Sequence, residues 1–193
     1  MSEPPYEPSW QSQALHGLAA AEAEEYACLL ADPPWNESGG GRVKRGADRH
    51  YPLLKTPDII RVMVQSPKFR PAANAHLWLW VTNNFLKDGL HVMEALGFRY
   101  VTNAVWVKNR IGLGQYLRGR HELLLFGVRG RQPAQCRTES TWIGNREVAR
   151  RLHSQKPEES YKLIERVSPG PRVEFFARAR REGWDAHGNE IAA

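Results

Sequence analysis

The chain of 193 residues is poor in cysteine, in long apolar runs and, over its first 25 residues, in positive charge. Two cysteines, Cys28 and Cys136, cannot build a disulfide framework and do not fall at zinc-ligand spacing. His76, His91 and His153 also lack ligand spacing, so no metal centre is expected. Apolar runs are strand-sized, far short of the roughly 20 residues that cross a bilayer, so no membrane span is expected. The N-terminus, rich in Pro, Ser and Glu, has neither the basic start nor the apolar core of a secretory signal, which predicts a cytoplasmic protein. Gly112 and Gly114 lack the third glycine of a dinucleotide fingerprint. The Gly39-Gly40-Gly41 run lacks the Gly-Lys-Ser/Thr ending of a phosphate loop.

What is present is unevenly charged. Residues 1–25 hold five glutamates and no Lys or Arg, which leaves +11 on the rest because the whole chain carries +6. They read as a flexible acidic leader, with a short Ala-rich helix over 11–25. Residues 26–193 read as a single domain, a size that one core serves. A basic body suits a polyanionic partner such as nucleic acid, although many proteins are basic for solubility alone.

Tyr26 to Ala31 is an apolar run that reads as a buried strand of a parallel sheet. Asp32-Pro33-Pro34-Trp35 follows, and its prolines end the strand because neither can donate to a ladder. An acidic side chain, two free carbonyls and an aromatic face are thereby fixed at the carboxyl end of a strand, the edge where open α/β sheets bind ligands. Adenine's exocyclic nitrogen is a poor nucleophile because its lone pair is delocalised into the ring. Asp32 and the Pro33 carbonyl can accept both amino hydrogens and favour a pyramidal nitrogen aimed at an electrophilic methyl group. Trp35 can stack on a base that has left its helix. The same four residues also suit a plain strand-end turn with a buried tryptophan.

Further along, the pattern predicts a helix over 57–65 capped by Thr56, a strand over 75–81, and a helix over 84–96 stopped by Gly97. Strands follow at 101–107 and 122–128, separated by a glycine-bearing loop that carries Arg110, Arg118 and Arg120. Residues 130–147 are polar and irregular. A helix over 158–166, a strand over 172–177 and a short strand between Trp184 and Ile191 complete the chain. Strands alternating with helices predict an α/β class with a mostly parallel sheet. Trp106 and Lys108 either fill the core and end a strand or belong to the site. Glu122 either pairs with Arg120 or Lys108 or lines the target groove. The arginines either form a solvated face or contact phosphates.

Taken in order, several segments resemble one family, the N6-adenine methyltransferases that include the catalytic subunit of eukaryotic mRNA adenosine methylation and many bacterial and phage members. They are Asp32-Pro33-Pro34-Trp35, His50-Tyr51-Pro52, Leu77 to Val81, Trp106-Val107-Lys108, Glu122 to Gly130, Lys156-Pro157, Ile164 to Gly170, Glu174 to Arg178, and Gly188-Asn189-Glu190. The resemblance covers roughly residues 26–191. It implies a Rossmann-like methyltransferase fold that uses S-adenosylmethionine, permuted so that the catalytic strand comes early and the cofactor strand late. By the same resemblance, Asp32 holds the target amino group near the cofactor, and Tyr51 lines the adenine pocket with Trp35. Lys156 bridges cofactor and substrate, and Phe176, Arg178, Asn189 and Glu190 line the cofactor. The sequence departs from the family in three places. No glycine follows the cofactor strand at Phe176-Ala177-Arg178, Gln155 stands where relatives often carry His or Arg, and Glu190 stands where the eukaryotic relative has Gln.

The expected activity is methyl transfer to adenine N6, without a metal or covalent enzyme intermediate. A compact chain without an added RNA-binding module resembles the bacterial and phage members, which favours DNA over RNA. An RNA methyltransferase, a cytosine amino methylase and a non-catalytic nucleic-acid-binding relative are the alternatives. Monomer and homodimer both stay open.

Overall fold

The computed structural model describes residues 24–36, 53–109, 111–112, 116–144, 155–188 and 191. Its seven strands are β1 (Tyr26–Ala31), β2 (Pro71–Thr82), β3 (Arg99–Val107), β4 (His121–Arg129), β5 (Trp142–Ile143), β6 (Arg172–Phe175) and β7 (Asp185–His187). They form one sheet in the order β5-β3-β4-β2-β1-β6-β7. β1 lies parallel to both β2 and β6, β3 to β5, and β6 to β7, whereas β4 is antiparallel to β2 and β3. One strand thus opposes the other six. The early strand β1 and the late strand β6 are neighbours, as the permuted order requires.

Among the described residues three helices cover the sheet: α1 (Thr56–Gln65), α2 (Leu86–Ala95, entered through a 3-10 turn at Asn83–Phe85) and α3 (Glu158–Val167). Alternation along the strands decides which face each side chain joins. Leu29, Ala31, Leu77 and Leu79 pack with Ile59 and Met63 of α1 and with Val92 and Met93 of α2. Cys28, Leu30, Trp78 and Trp80 pack on the opposite face with Leu163 and Ile164 of α3. Each leucine, isoleucine, valine or methionine among them contributes about 1.5–3 kcal/mol when buried. The chain leaves β1 through α1 towards β2 on one side and returns through α3 to β6 on the other. β1 and β6 therefore flank a topological switch point, where doubly wound sheets open a crevice beyond the strand ends.

Several boundaries differ from expectation. Thr56 does not cap α1: Lys55 holds that position, and the Thr56 hydroxyl instead donates to Asp88 at 2.7 Å, tying α1 to α2. β2 begins at Pro71, a first-residue position where a missing N–H costs little, and its pairing with β1 shifts register between Tyr26 and Cys28. The irregular stretch 130–147 contains the edge strand β5. Gly97, at φ +81°, ends α2 in the left-handed conformation that glycine adopts freely. Residues 1–23 of the acidic leader, with most of the predicted 11–25 helix, lie outside the described residues; Glu24 and Glu25 are exposed and non-helical.

His76 is a structural residue. Its Nδ1 meets the Ser168 hydroxyl at 2.8 Å, its Nε2 meets the Gln132 carbonyl at 3.1 Å, and Trp78 Nε1 donates to the same hydroxyl at 2.8 Å. Burial lowers the His76 pKa, so the ring stays neutral. One tautomer satisfies all three contacts: Ser168 donates to Nδ1, accepts from Trp78, and Nε2–H donates to Gln132. Ser168→Ala leaves a buried acceptor and a buried donor without partners. It is expected to cost about 2 kcal/mol in urea-unfolding stability.

Candidate active site

Strand direction gathers the charged residues at one edge of the sheet. Asp32 follows the last residue of β1, and Lys108 follows the last residue of β3. Because β4 is reversed, its beginning lies beside the carboxyl ends of its neighbours, with Glu122 in register between Thr82 and Trp106. Lys156 arrives from the segment before α3. Its ammonium is 2.7 Å from the Asp32 carboxylate and 3.4 Å from Glu122, and Lys108 pairs with the other oxygen of Glu122. The result is a row of alternating sign, Asp32–Lys156–Glu122–Lys108.

Two tryptophans floor this row. Lys156 Nζ lies 5.4 Å from the centre of the Trp80 ring and Lys108 Nζ lies 5.4 Å from that of Trp106. Trp80 and Trp106 meet edge to face with centroids 6.1 Å apart. A cation over an indole face gains from the ring quadrupole, the more so when partly desolvated. Burial pushes the Glu122 carboxyl up, but Lys156 and Lys108 overcome it and hold the carboxyl below its ordinary value. Burial likewise disfavours the Lys156 charge, and Asp32 and Glu122 more than restore it. Glu122 and Lys156 are each held ionised by the opposite charges beside them.

The Asp-Pro-Pro-Trp segment is more self-engaged than its sequence suggests. The Pro33 carbonyl accepts the Trp35 N–H at 2.9 Å and the Pro34 carbonyl accepts that of Leu54 at 2.8 Å, so neither carbonyl is free. Pro33 keeps a second lone pair. Trp35 does not offer an open face to a base: it is 6% exposed, stacks on Phe85 with centroids 5.5 Å apart, and donates its indole N–H to the Trp80 carbonyl at 2.9 Å. It is a wedge that fixes the strand-end turn, the plainer of the two readings that its sequence allows. Trp106, at 8% exposure, is likewise floor rather than lid.

Past the formal ends of β3 and β4 the ribbon continues. Lys108 N–H donates to Arg120 O at 2.7 Å, and Gly112 N–H donates to Gly119 O at 2.7 Å. Arg118 and Arg120 each spend Nε on a backbone carbonyl, those of Gly112 and Lys108, which fixes the ribbon beside the charged row. Arg110 and Tyr51 lie outside the described residues, as do Asn189 and Glu190.

Beyond β6, Phe176 takes φ +62°, the left-handed conformation usual for a glycine in a turn of this kind. A side chain there costs roughly 1–2 kcal/mol, and packing of Phe176 against the core offsets it. Ala177 N–H donates to His187 O at 3.1 Å, and a Cβ at Gly188 would lie 2.1 Å from Ala177 O. The turn that carries Arg178 and the segment that leads to Asn189 are therefore in close backbone contact.

Sequence reasoning assigned no role to Glu174 or Tyr161, although a glutamate between the apolar Val173 and Phe175 was the available signal. Burial pushes the Glu174 carboxyl up to about 7 from the ordinary 4.5; Asp32 adds to this, while the Tyr161 hydrogen bond, Arg181 and Lys156 oppose it. Between these values the folded chain holds a proton that the unfolded chain has released, so stability falls as pH rises through that window and levels off above it. Glu174→Gln is expected to flatten the fall, measured by urea unfolding at about pH 5 and about pH 8.

Among the described residues no helix is long and apolar enough to cross a membrane, and no cluster of three His, Cys, Asp or Glu forms a metal site. The family model described as MT-A70 matches residues 26–190. The chain is 30% identical to the putative N(6)-adenosine-methyltransferase MT-A70-like of Medicago truncatula, over 96% of this chain and 30% of that protein. It is 27% identical to the N(6)-adenosine-methyltransferase catalytic subunit METTL3 of Homo sapiens, over 96% of this chain and 32% of that one. It is also 28% identical to the Type II methyltransferase M.MunI of Mycoplasma sp, over 87% of this chain and 78% of that one. The chain spans about a third of the length of the plant and human relatives.

Proposed function

The chain belongs to the MT-A70 family, whose methyl donor is S-adenosylmethionine, and on that premise we propose that it methylates the N6 amino group of adenine in nucleic acid, with DNA as the polymer. The observation that carries this reading is the Asp32–Lys156 pair at the carboxyl ends of β1 and β6. Its chemistry suits the donor, which has an ammonium, a carboxylate and a sulfonium at its amino-acid end. Asp32 is the acceptor for positive charge there, and Lys156 the partner for a carboxylate. Arg178, Asn189 and Glu190 are proposed to serve the ribose.

When bound, the donor supplies a methyl group made electrophilic by the sulfonium. The chain's own part is alignment and electrostatics. Asp32 accepts one amino hydrogen, and the second lone pair of the Pro33 carbonyl accepts the other. Lys156 fixes the Asp32 carboxylate while Glu122 holds Lys156 from the far side. Trp35 keeps the turn rigid from within, and Tyr51 is proposed to line the adenine pocket. A base reaching this edge has left its stack, which fits a flipped nucleotide. Cys28 and Cys136 form no disulfide, which suits the cytoplasmic setting we assign.

DNA is favoured by the likeness to the Type II methyltransferase of Mycoplasma sp, which the chain matches over 78% of that protein. RNA is the second reading, favoured by the plant and human relatives named for adenosine. Incubation with labelled donor and duplex DNA, single-stranded DNA or RNA separates them: label in duplex DNA supports the first reading, and label in RNA alone moves the assignment to the second. Arg118 and Arg120 are proposed to contact phosphates. Arg118→Ala and Arg120→Ala should each weaken polymer binding at all sequences and reduce the salt slope of log K by about 1. An unchanged slope would remove that arginine from the interface.

A further inference from the structure

Glu174 is a buried carboxyl group between Val173 and Phe175 of β6, and the methyl transfer derived above does not use it. It is 8% exposed, on the face of β6 that α3 covers. Register sets it beside Leu30 on β1 and Ala186 on β7. Asp32, two residues beyond Leu30 on the same face, is its diagonal neighbour. Tyr161 of α3 donates its hydroxyl to Glu174 at 2.9 Å. Arg181 lies 3.8 Å from the centre of the Tyr161 ring and is paired with Glu158 at 2.5 Å. The charged groups that act on Glu174 are thus Asp32, Lys156 and Arg181, with Tyr161 as the titratable hydroxyl; Leu30 and Ala186 add none.

We infer that Glu174 gives up its proton when the positively charged methyl donor binds, and so distinguishes that donor from its neutral product. The inference rests on the S-adenosylmethionine reading above. The donor carries a sulfonium charge that S-adenosylhomocysteine lacks. A cation at the carboxyl ends of β1 and β6 favours the ionised carboxyl, and the ionised carboxyl favours the cation to the same degree. Once the methyl group has left, that attraction disappears and the product is held less tightly. Burial, opposed by the Tyr161 hydrogen bond and reinforced by Asp32, puts the titration of this carboxyl at about 7, so the coupling operates at neutral pH.

Calorimetry of both ligands on the full chain, near pH 6.5 in buffers of different ionisation enthalpy, counts the protons released. S-adenosylmethionine should release a larger fraction of a proton than S-adenosylhomocysteine. Its affinity should rise about tenfold from about pH 5.5 to about pH 8, the change that a one-unit lowering of the carboxyl produces. Product affinity should change little. Glu174→Gln should abolish both the excess release and the rise. Tyr161→Phe, which removes a hydrogen bond that favours the ionised form, should move the rise to higher pH. Equal release by the two ligands on the native chain, or an excess that persists in Glu174→Gln, overturns the proposal. The comparison of ligands depends on neither variant folding. Absence of binding by both ligands would instead overturn the cofactor reading, and this inference with it.

Discussion

Replacing Asp32 by alanine is expected to lower methyl transfer by at least about a hundredfold, the range seen when one preorganised electrostatic partner of a transition state is removed. Positive charge develops on the amino nitrogen as the methyl group arrives, and Asp32 is the carboxylate proposed to face it. In the ground state the nitrogen is neutral, so base binding should change far less. Lys156 keeps Glu122 as a partner after the substitution, so the edge is not left with an unpaired buried cation. Single-turnover rates at saturating donor, with parallel nucleic-acid-binding curves, separate the two effects. A variant that binds donor and transfers methyl at near-native rate would remove Asp32 from the chemistry.

Lys156→Met should be the most destabilising change at the site, by about 3 kcal/mol at neutral pH, the usual scale for removing one partner of a buried ion pair. The side chains of Lys156, Asp32 and Glu122 are between 11% and 17% exposed, so solvent does little to compensate. The pH dependence follows from Glu122. In the native chain its carboxyl titrates below the ordinary 4.5, so its contribution is present above that value and is lost as pH falls through the lowered one. Without Lys156 that contribution shrinks, so the gap between variant and native chain should be widest near neutrality and narrow in acid. Urea unfolding at about pH 7 and about pH 4 measures this. An equal gap at both would mean that Lys156 acts through packing alone.

The strands that position Asp32 could be read from sequence because their signals are local. Tyr26 to Ala31 is apolar throughout and closed by two prolines, and the observed β1 has those same limits. β5, two residues long within a polar stretch, has no periodicity to reveal it. The direction of β4 is a tertiary property, yet it is what carries Glu122 to Lys156. Asp32 and Lys156, 124 residues apart, meet only because β1 and β6 are neighbours in the sheet. Trp35 shows the opposite limit: its aromatic ring was evident, but the side it faces depends on Phe85, which sequence does not bring near. Glu174 was visible as a polar residue in a core strand. Its significance needed Tyr161 and Asp32 around it.

The central claim is that the edge built by Asp32 and Lys156 methylates adenine N6, and nucleoside mass spectrometry tests it most directly. The native chain and Asp32→Ala would be incubated with S-adenosylmethionine and unmethylated duplex DNA, single-stranded DNA and RNA. N6-methyladenine formed by the native chain and absent with the variant is the predicted result. Methyl groups on cytosine N4, or no methylated base in any polymer despite measurable donor binding, would contradict it.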